Sequence, residues 1–265
     1  ERAAASDGGV FDKASIGERL EDASIARRPD ATGDEESSHV AGARRGKISR
    51  YARGRDYHAV LRERLSALLA EIVEMAPGAR GRVATDAIPL LEKAIAEKAG
   101  IGWIGKHTNL ITRTHGSWIF LGEILLTVPL AYDEPFAFDL CGSCVRCIDA
   151  CPTGAIVAPR ELDSARCISY ATIEHRGEIP ESFRGKMDEW LFGCDVCQEV
   201  CPWNRFAQET TIADFLPRPE IAGMTLDEAA RLTDDDFRER MNGSAITRTR
   251  AEGIRRNARF LLEEH

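Results

Sequence analysis

Two short stretches decide the fold: "CGSCVRCIDACP", from Cys141 to Pro152, and "GCDVCQEVCPWN", from Gly193 to Asn204. The first is C-x2-C-x2-C-x3-C-P, the spacing with which bacterial ferredoxins hold [4Fe-4S] clusters. Tight turns bring three thiolates to three corners of one cube, and the proline turns the fourth cysteine toward a second cube. The second stretch repeats the Cys-Pro ending with Cys194, Cys197 and Cys201, and Cys167 stands between the two. Shared out by that rule, one cluster takes Cys141, Cys144, Cys147 and Cys201, and the other takes Cys151, Cys167, Cys194 and Cys197. All eight cysteines are then used.

Structural zinc and disulfides compete with this reading. Zinc ribbons use C-x2-C pairs, but not a third cysteine two residues later with Cys-Pro closing both halves. Disulfides need an oxidising compartment, and "ERAAASDGGVFDKASIGERLEDAS" at the N-terminus has no basic region followed by an apolar run that would direct export. A cytoplasmic protein is the expectation. The most apolar stretch, "WIFLGEILLTVPLAY" (Trp118 to Tyr132), is short and interrupted by Glu123, so it reads as buried strand and turn, not as a membrane span.

With 265 residues, 43% of them hydrophobic and 29% charged, the chain has the composition of a globular protein and the length for one large domain or two small ones, two being the expectation. Residues 1–46 are polar and aperiodic, and are expected to be disordered or divergent. "RDYHAVLRERLSALLAEIVEM" (Arg55 to Met75) spaces Val60, Leu61, Leu65, Leu68, Leu69 and Ile72 as one face of a helix. "RVATDAIPLLEKAIAEKAGIGW" predicts a short strand, then a helix with Asp86 before it, Pro89 in its first turn and Gly100 at its stop. "TNLITRTHGSWIFLGEILLTV" predicts two strands joined through His115 and Gly116. "MTLDEAARLTDDDFRERM" and "TRAEGIRRNARFLLEE" read as two closing helices. The expected division is thus 47–135 for a mixed helix and strand domain, 136–206 for a ferredoxin-like domain and 207–265 for C-terminal helices, an α+β protein.

Two clusters conduct electrons but transform no substrate. The blocks "GKISRYARGRDYH", "TDAIPLLEKAIAEKAGIGWIGKHTNLI", "GSWIFLGEILLTVPL", "CGSCVRCIDACPTGAIVAPRELDSARCISYATIE" and "GCDVCQEVCPWNRF", in that order, resemble the epoxyqueuosine reductase family. The resemblance runs over about residues 46 to 206 and more loosely over the closing helices. It implies that 47–135 is a nitroreductase- and reductive-dehalogenase-like cobalamin-binding, catalytic domain, followed by a ferredoxin-like domain with two [4Fe-4S] clusters. It also implies a base-off cobalamin, an external electron donor and a monomer. The implied substrate is epoxyqueuosine at the wobble position of tRNAs for Asp, Asn, His and Tyr, reduced to queuosine in the last step of its biosynthesis.

By the same resemblance Asp86 is the catalytic acid and a cofactor contact, and Leu110, Leu121, Ser169, Asp195 and Val196 are further cobalamin contacts. A part-buried carboxyl suits an acid, because an epoxide oxygen leaves poorly unless a proton arrives as the carbon is attacked. The competing reading of Asp86 is a helix cap, and that of Leu110 and Leu121 is core. His107 stands where the family usually has Asn, and Lys106 could face cofactor or tRNA phosphate. Arginines crowd Arg44 to Arg64 and Arg248 to Arg259, which suits a phosphate backbone or equally a solvated helix face. Two other functions fit the cysteines: a ferredoxin-type electron carrier, and a cobalamin-dependent reductase of a small molecule.

Overall fold

The computed structural model describes residues 43–86 and 88–263. The segment read as disordered or divergent lies, up to residue 42, outside them. Among the described residues the strands pair only two by two. β1 (Lys47–Ile48) runs parallel to β8 (Trp190–Phe192), and β2 (Gly81–Ala84) antiparallel to β5 (Glu123–Leu126). β3 (Trp103–Ile104) pairs with β4 (Leu110–Ile111), and β6 (Ile156–Ala158) with β7 (Glu161–Leu162).

Helix α1 (Tyr57–Met75) begins where predicted, with the Asp56 side chain accepting from His58 N at its N-cap. Its apolar face lies against the β2–β5 ribbon, with Val60 fully buried and Leu65 and Leu69 reaching Gly122 and Gly81. Helix α2 (Glu92–Lys98) starts later than the sequence suggested. Pro89 lies in the loop before it, and Asp86 is not its cap. Gly100 does follow its end, at φ 72°, as a chain leaving a helix requires. The two strands expected around His115 and Gly116 are present but do not form a hairpin. Gly116 closes a small turn bridged to Thr112, after which the chain leaves for a different ribbon. The stretch read as buried is half in solvent, with Leu125, Leu130 and Tyr132 exposed.

Helices α3 (Arg146–Asp149) and α5 (Val196–Glu199) are the paired single turns of the duplicated cysteine motif and pack on each other, with α4 (Ile168–Ile173) between them in sequence. Four helices close the chain: α6 (Pro219–Ala222), α7 (Leu226–Arg231), α8 (Asp234–Arg240) and α9 (Arg250–Leu262). The first stretch read as a single helix is split by two capping boxes, Thr225 with Glu228 and Thr233 with Asp236.

The main core gathers Ile48 and Ala52, the α4 and β8 side chains, and Ile221, Met224, Leu226, Met241, Ile246, Ile254 and Leu261. The chain's first described strand, the middle of the cysteine region and the last helices therefore share one interior. Asn257 stitches it, donating from Nδ2 to Thr172 O and Leu191 O, both at 2.9 Å. Asn257→Ala leaves these buried carbonyls without that donor and is expected to lower stability by about 3 kcal/mol, read as a fall in the urea midpoint. A smaller cluster of Trp103, Ile111 and Cys201, with Phe136, Leu140 and Trp203 packed on it, backs the first cysteine loop.

Candidate active site

A cavity of about 1150 Å³ opens between the α1 start, the Asp86 loop and the cysteine region. It exceeds the roughly 300–1,000 Å³ of drug-sized ligand sites. Cys151, Cys167, Cys194 and Cys197 all line it, and none of Cys141, Cys144, Cys147 and Cys201 does. The second quartet therefore faces the cavity, and the first lies outside its lining.

The thiols sort electrostatically into the same quartets. Burial pushes Cys147 up to about 11, and neighbouring Cys141, Cys201 and Cys144 add to it. Cys201 is raised by burial and then, among thiols, by Cys141 and Cys144. Cys194 is pushed up to about 12 by burial, with Cys167 and Cys151 contributing. Cys197 is raised by burial, then by Cys194 and Cys167, and also feels Cys147 and Cys151, so the quartets adjoin. Four mutually repelling thiols per group are a donor set that multivalent iron satisfies by holding them deprotonated. Donors to sulfur are in place: Trp103 Nε1 lies 3.5 Å from Cys141 Sγ and Ala155 N 3.2 Å from Cys151 Sγ. Burial raises Cys151, but the hydrogen bonds from Ala155 and Thr153 outweigh it and lower the thiol overall. Among the described residues no three His, Cys, Asp or Glu side chains converge on a site for a single metal ion.

Asp86 stands at the cavity wall, its side chain 65% exposed and not part-buried as expected. Tyr57 Oη donates to Asp86 Oδ2 at 2.6 Å. Burial, then the hydrogen bond to Asp86, raise Tyr57 well above the ordinary phenol range, so it stays a donor. His58 Nδ1 lies 2.7 Å from Asp56 Oδ1 and its Nε2 3.9 Å from Asp86 Oδ2. One carboxylate thus caps α1 and orients a ring toward Asp86.

Of the other expected contacts, Leu121, Ser169, Asp195 and Val196 line the cavity, while Leu110 is buried on β4 and lies outside that lining. Asp195 is 3% exposed. It accepts from Ser49 Oγ and, at 2.8 Å, from Arg50 N. Burial raises its carboxyl, and these donors oppose the rise. Gly193, at φ 73°, allows this approach, since a Cβ there would collide with Ser49. Ser49, Tyr57 and Lys93 belong to the wall; the sequence offers no signal for Ser49 or Lys93, and Tyr57, which reads there as an aromatic within the basic stretch able to stack on a base, instead bonds Asp86. Burial lowers Lys93, which donates to Thr108 O and Asn109 Oδ1 at 3.0 and 3.1 Å. His107 also lines the cavity; burial pushes it down to about 4, and its buried Nε2 finds no partner.

Several residues read as phosphate contacts are used internally. Lys106 Nζ donates to Gly142 O and Cys144 O at 2.7 and 3.0 Å, holding the first cysteine loop. Arg44 pairs with Glu189, Lys47 with Asp188, Arg248 with Glu174 and Arg255 with Asp234. Arg256 reaches three backbone carbonyls, those of Ala171, His175 and Gly177.

The paired cysteine loops and this cavity define the class, a two-cluster iron–sulfur protein with a large chamber beside one cysteine quartet. Residues 140–204 match the 4Fe-4S double cluster binding domain, and residues 26–87 match the family described as epoxyqueuosine reductase QueG, DUF1730. The second match starts ahead of residue 46, so the likeness reaches further toward the N-terminus than the motifs alone indicated. The chain is 48% identical to the epoxyqueuosine reductase of Cellulophaga algicola over 81% of its own length and 70% of that protein's. It belongs to the epoxyqueuosine reductase family. Its fold matches an epoxyqueuosine reductase solved with an epoxyqueuosine-modified tRNA-Tyr stem loop at TM-score 0.79 and 37% identity, covering 84% of this chain and 58% of that one. The Bacillus subtilis enzyme, solved with its catalytic aspartate loop swung out of the active site, matches at TM-score 0.79 and 36% identity, with coverage of 84% and 58%. The chain thus spans less than two thirds of these solved proteins. Among the described residues no helix is long and apolar enough to cross a membrane.

Proposed function

We propose that this chain reduces epoxyqueuosine to queuosine in tRNA. The observation that carries the reading is that four clustered thiols and the Asp86 carboxyl line one large cavity; an electron carrier alone has no use for such a chamber. The reaction consumes two electrons and two protons, breaks both carbon–oxygen bonds of the epoxide and releases the oxygen as water. Cobalamin, base-off and held by Leu121, Ser169, Asp195 and Val196, would supply a low-valent cobalt able to act on the epoxide carbon, with the clusters supplying electrons singly. Asp86 delivers a proton to the epoxide oxygen, Tyr57 fixes the direction of its carboxyl, and His58 stands behind it. We read Asp86 as the counterpart of the aspartate on the catalytic loop that is swung out of the active site in the Bacillus subtilis relative. The first quartet, lying behind the second, is where an external donor hands electrons in. The substrate is the modified wobble base of tRNAs for Asp, Asn, His and Tyr, bound by the protein as a monomer in the cytoplasm.

Anaerobic reconstitution with iron, sulfide and cobalamin tests this. About eight irons per chain, a base-off cob(II)alamin EPR signal and turnover of an epoxyqueuosine-containing stem loop are expected; eight irons with no cobalamin signal would sink it. Tyr57→Phe is expected to leave iron and cobalamin loading unchanged and lower kcat by about 10-fold, the worth of a hydrogen bond to a charged group.

A further inference from the structure

The catalytic reading employs the Asp86 carboxyl; the loop itself is held by two further carboxyl groups to which the reaction assigns no role, Glu92, which also lines the cavity, and Glu123, which does not. Asp86 sits at φ 48°, in the left-handed region that few residues other than Gly, Asn and Asp adopt and that neighbouring contacts hold in place. Its N–H donates to Glu92 Oε1 at 2.5 Å. Glu92, the first residue of α2, meets the side chain of Glu123, which lies on β5 opposite Ala84. Glu123 Oε2 is buried and has no hydrogen-bond donor.

Two ionised carboxylates are acceptors only, so a contact between them holds when a proton lies between the two. Glu92 Oε1 already accepts from Asp86 N–H, whereas Glu123 Oε2 is buried with no donor, so the shared proton belongs on Glu123. We propose that Glu92 and Glu123 form a proton-sharing latch: singly protonated, it pins the Asp86 loop to the cavity, and fully ionised, it releases the loop. The inference rests on the reading of Asp86 as proton donor for its consequence in catalysis, but not for the latch itself.

Burial, then the charge and hydrogen bond of Glu92, and lastly Asp86, push Glu123 up to about 7. The sign follows: the proton is held below that value and lost as pH rises through it, so the latch is closed in mild acid and opens in mild base. The groups facing it are Glu92 from α2, the Asp86 carboxyl from the loop, and Arg82 on β2, which lies opposite Leu125 on the same ribbon face. Tyr57, His58 and Lys93 surround Asp86 on its cavity side.

The test is hydrogen exchange of peptides covering residues 82–91 in the iron-reconstituted protein, with wild type and variants compared at each pH from 5.5 to 8.5 so that the intrinsic rate cancels. Glu123→Gln offers Glu92 a permanent N–H donor and is expected to keep the loop protected throughout. Wild type should match it at pH 6 and lose about 10-fold of protection by pH 8, as a single-proton linkage allows. Glu92→Ala should leave the loop unprotected at every pH. Equal pH dependence in wild type and Glu123→Gln, or none in wild type, overturns the latch, and protection of the loop in Glu92→Ala does the same. Turnover is a separate readout: Glu123→Gln should retain at pH 8.5 the activity wild type loses. Exchange as expected with turnover unchanged upholds the latch and counts against Asp86 as the donor.

Discussion

Asp86→Asn is expected to lower turnover of an epoxyqueuosine stem loop by about 100- to 10,000-fold, the usual contribution of a positioned general acid. Iron content and cobalamin binding should not change. Asn suits the test because it tolerates the left-handed backbone at φ 48° and its carbonyl still accepts from Tyr57 Oη. What it lacks is a transferable proton. An alanine there would add backbone strain and blur the result. Single-turnover reduction, started from fully reduced protein, isolates the step from electron supply. An Asn variant within a few-fold of wild type would show that the epoxide oxygen takes its proton elsewhere, with His58 Nε2, 3.9 Å from Asp86 Oδ2, the next group to examine.

The second large effect is an asymmetry between the quartets. Cys167→Ser and Cys141→Ser are each expected to reduce iron from about eight to about four per chain and to abolish turnover driven by a protein donor. They should differ at the cavity. Cys167 lines it and leads into α4, whose Ile168 and Ala171 belong to the main core. Losing its cluster opens the cavity wall, so cobalamin affinity and thermal stability should both fall. Cys141 belongs to the first loop, backed by Trp103 and the smaller cluster and away from the chamber. Its variant should bind cobalamin as wild type does. Equal loss of cobalamin binding in both variants would contradict the order of the quartets along the electron path.

The cysteine motifs were legible because much of cluster ligation is local: by the ferredoxin rule the first loop gives three thiolates to one cluster, the second loop gives two to the other, and the Cys-Pro ending redirects the last of each. Helix α1 was legible for a related reason, since its apolar period and Asp56 cap are fixed within one stretch of chain. Asp86 could be picked out by resemblance, but its setting could not. The sequence pointed to a cap on a helix containing Pro89, whereas the helix starts at Glu92 and the loop instead hangs between Tyr57 and Glu92. The strands around Gly116 misled because each is only two to four residues long, and such strands take their partners from tertiary packing.

What the sequence determined by itself was therefore the double-cluster cysteine pattern and the family, both encoded in spacing and order along the chain. Only the tertiary structure decided which quartet faces the chamber and that most of the arginine stripe at 248–256 serves the chain's own carboxylates and carbonyls. It alone brought Glu92 and Glu123 together beside Asp86. The physical reason is range: a thiol's place in a tight turn depends on its nearest neighbours, whereas a buried oxygen left without a donor, or an arginine already paired, depends on what the rest of the fold brings against it.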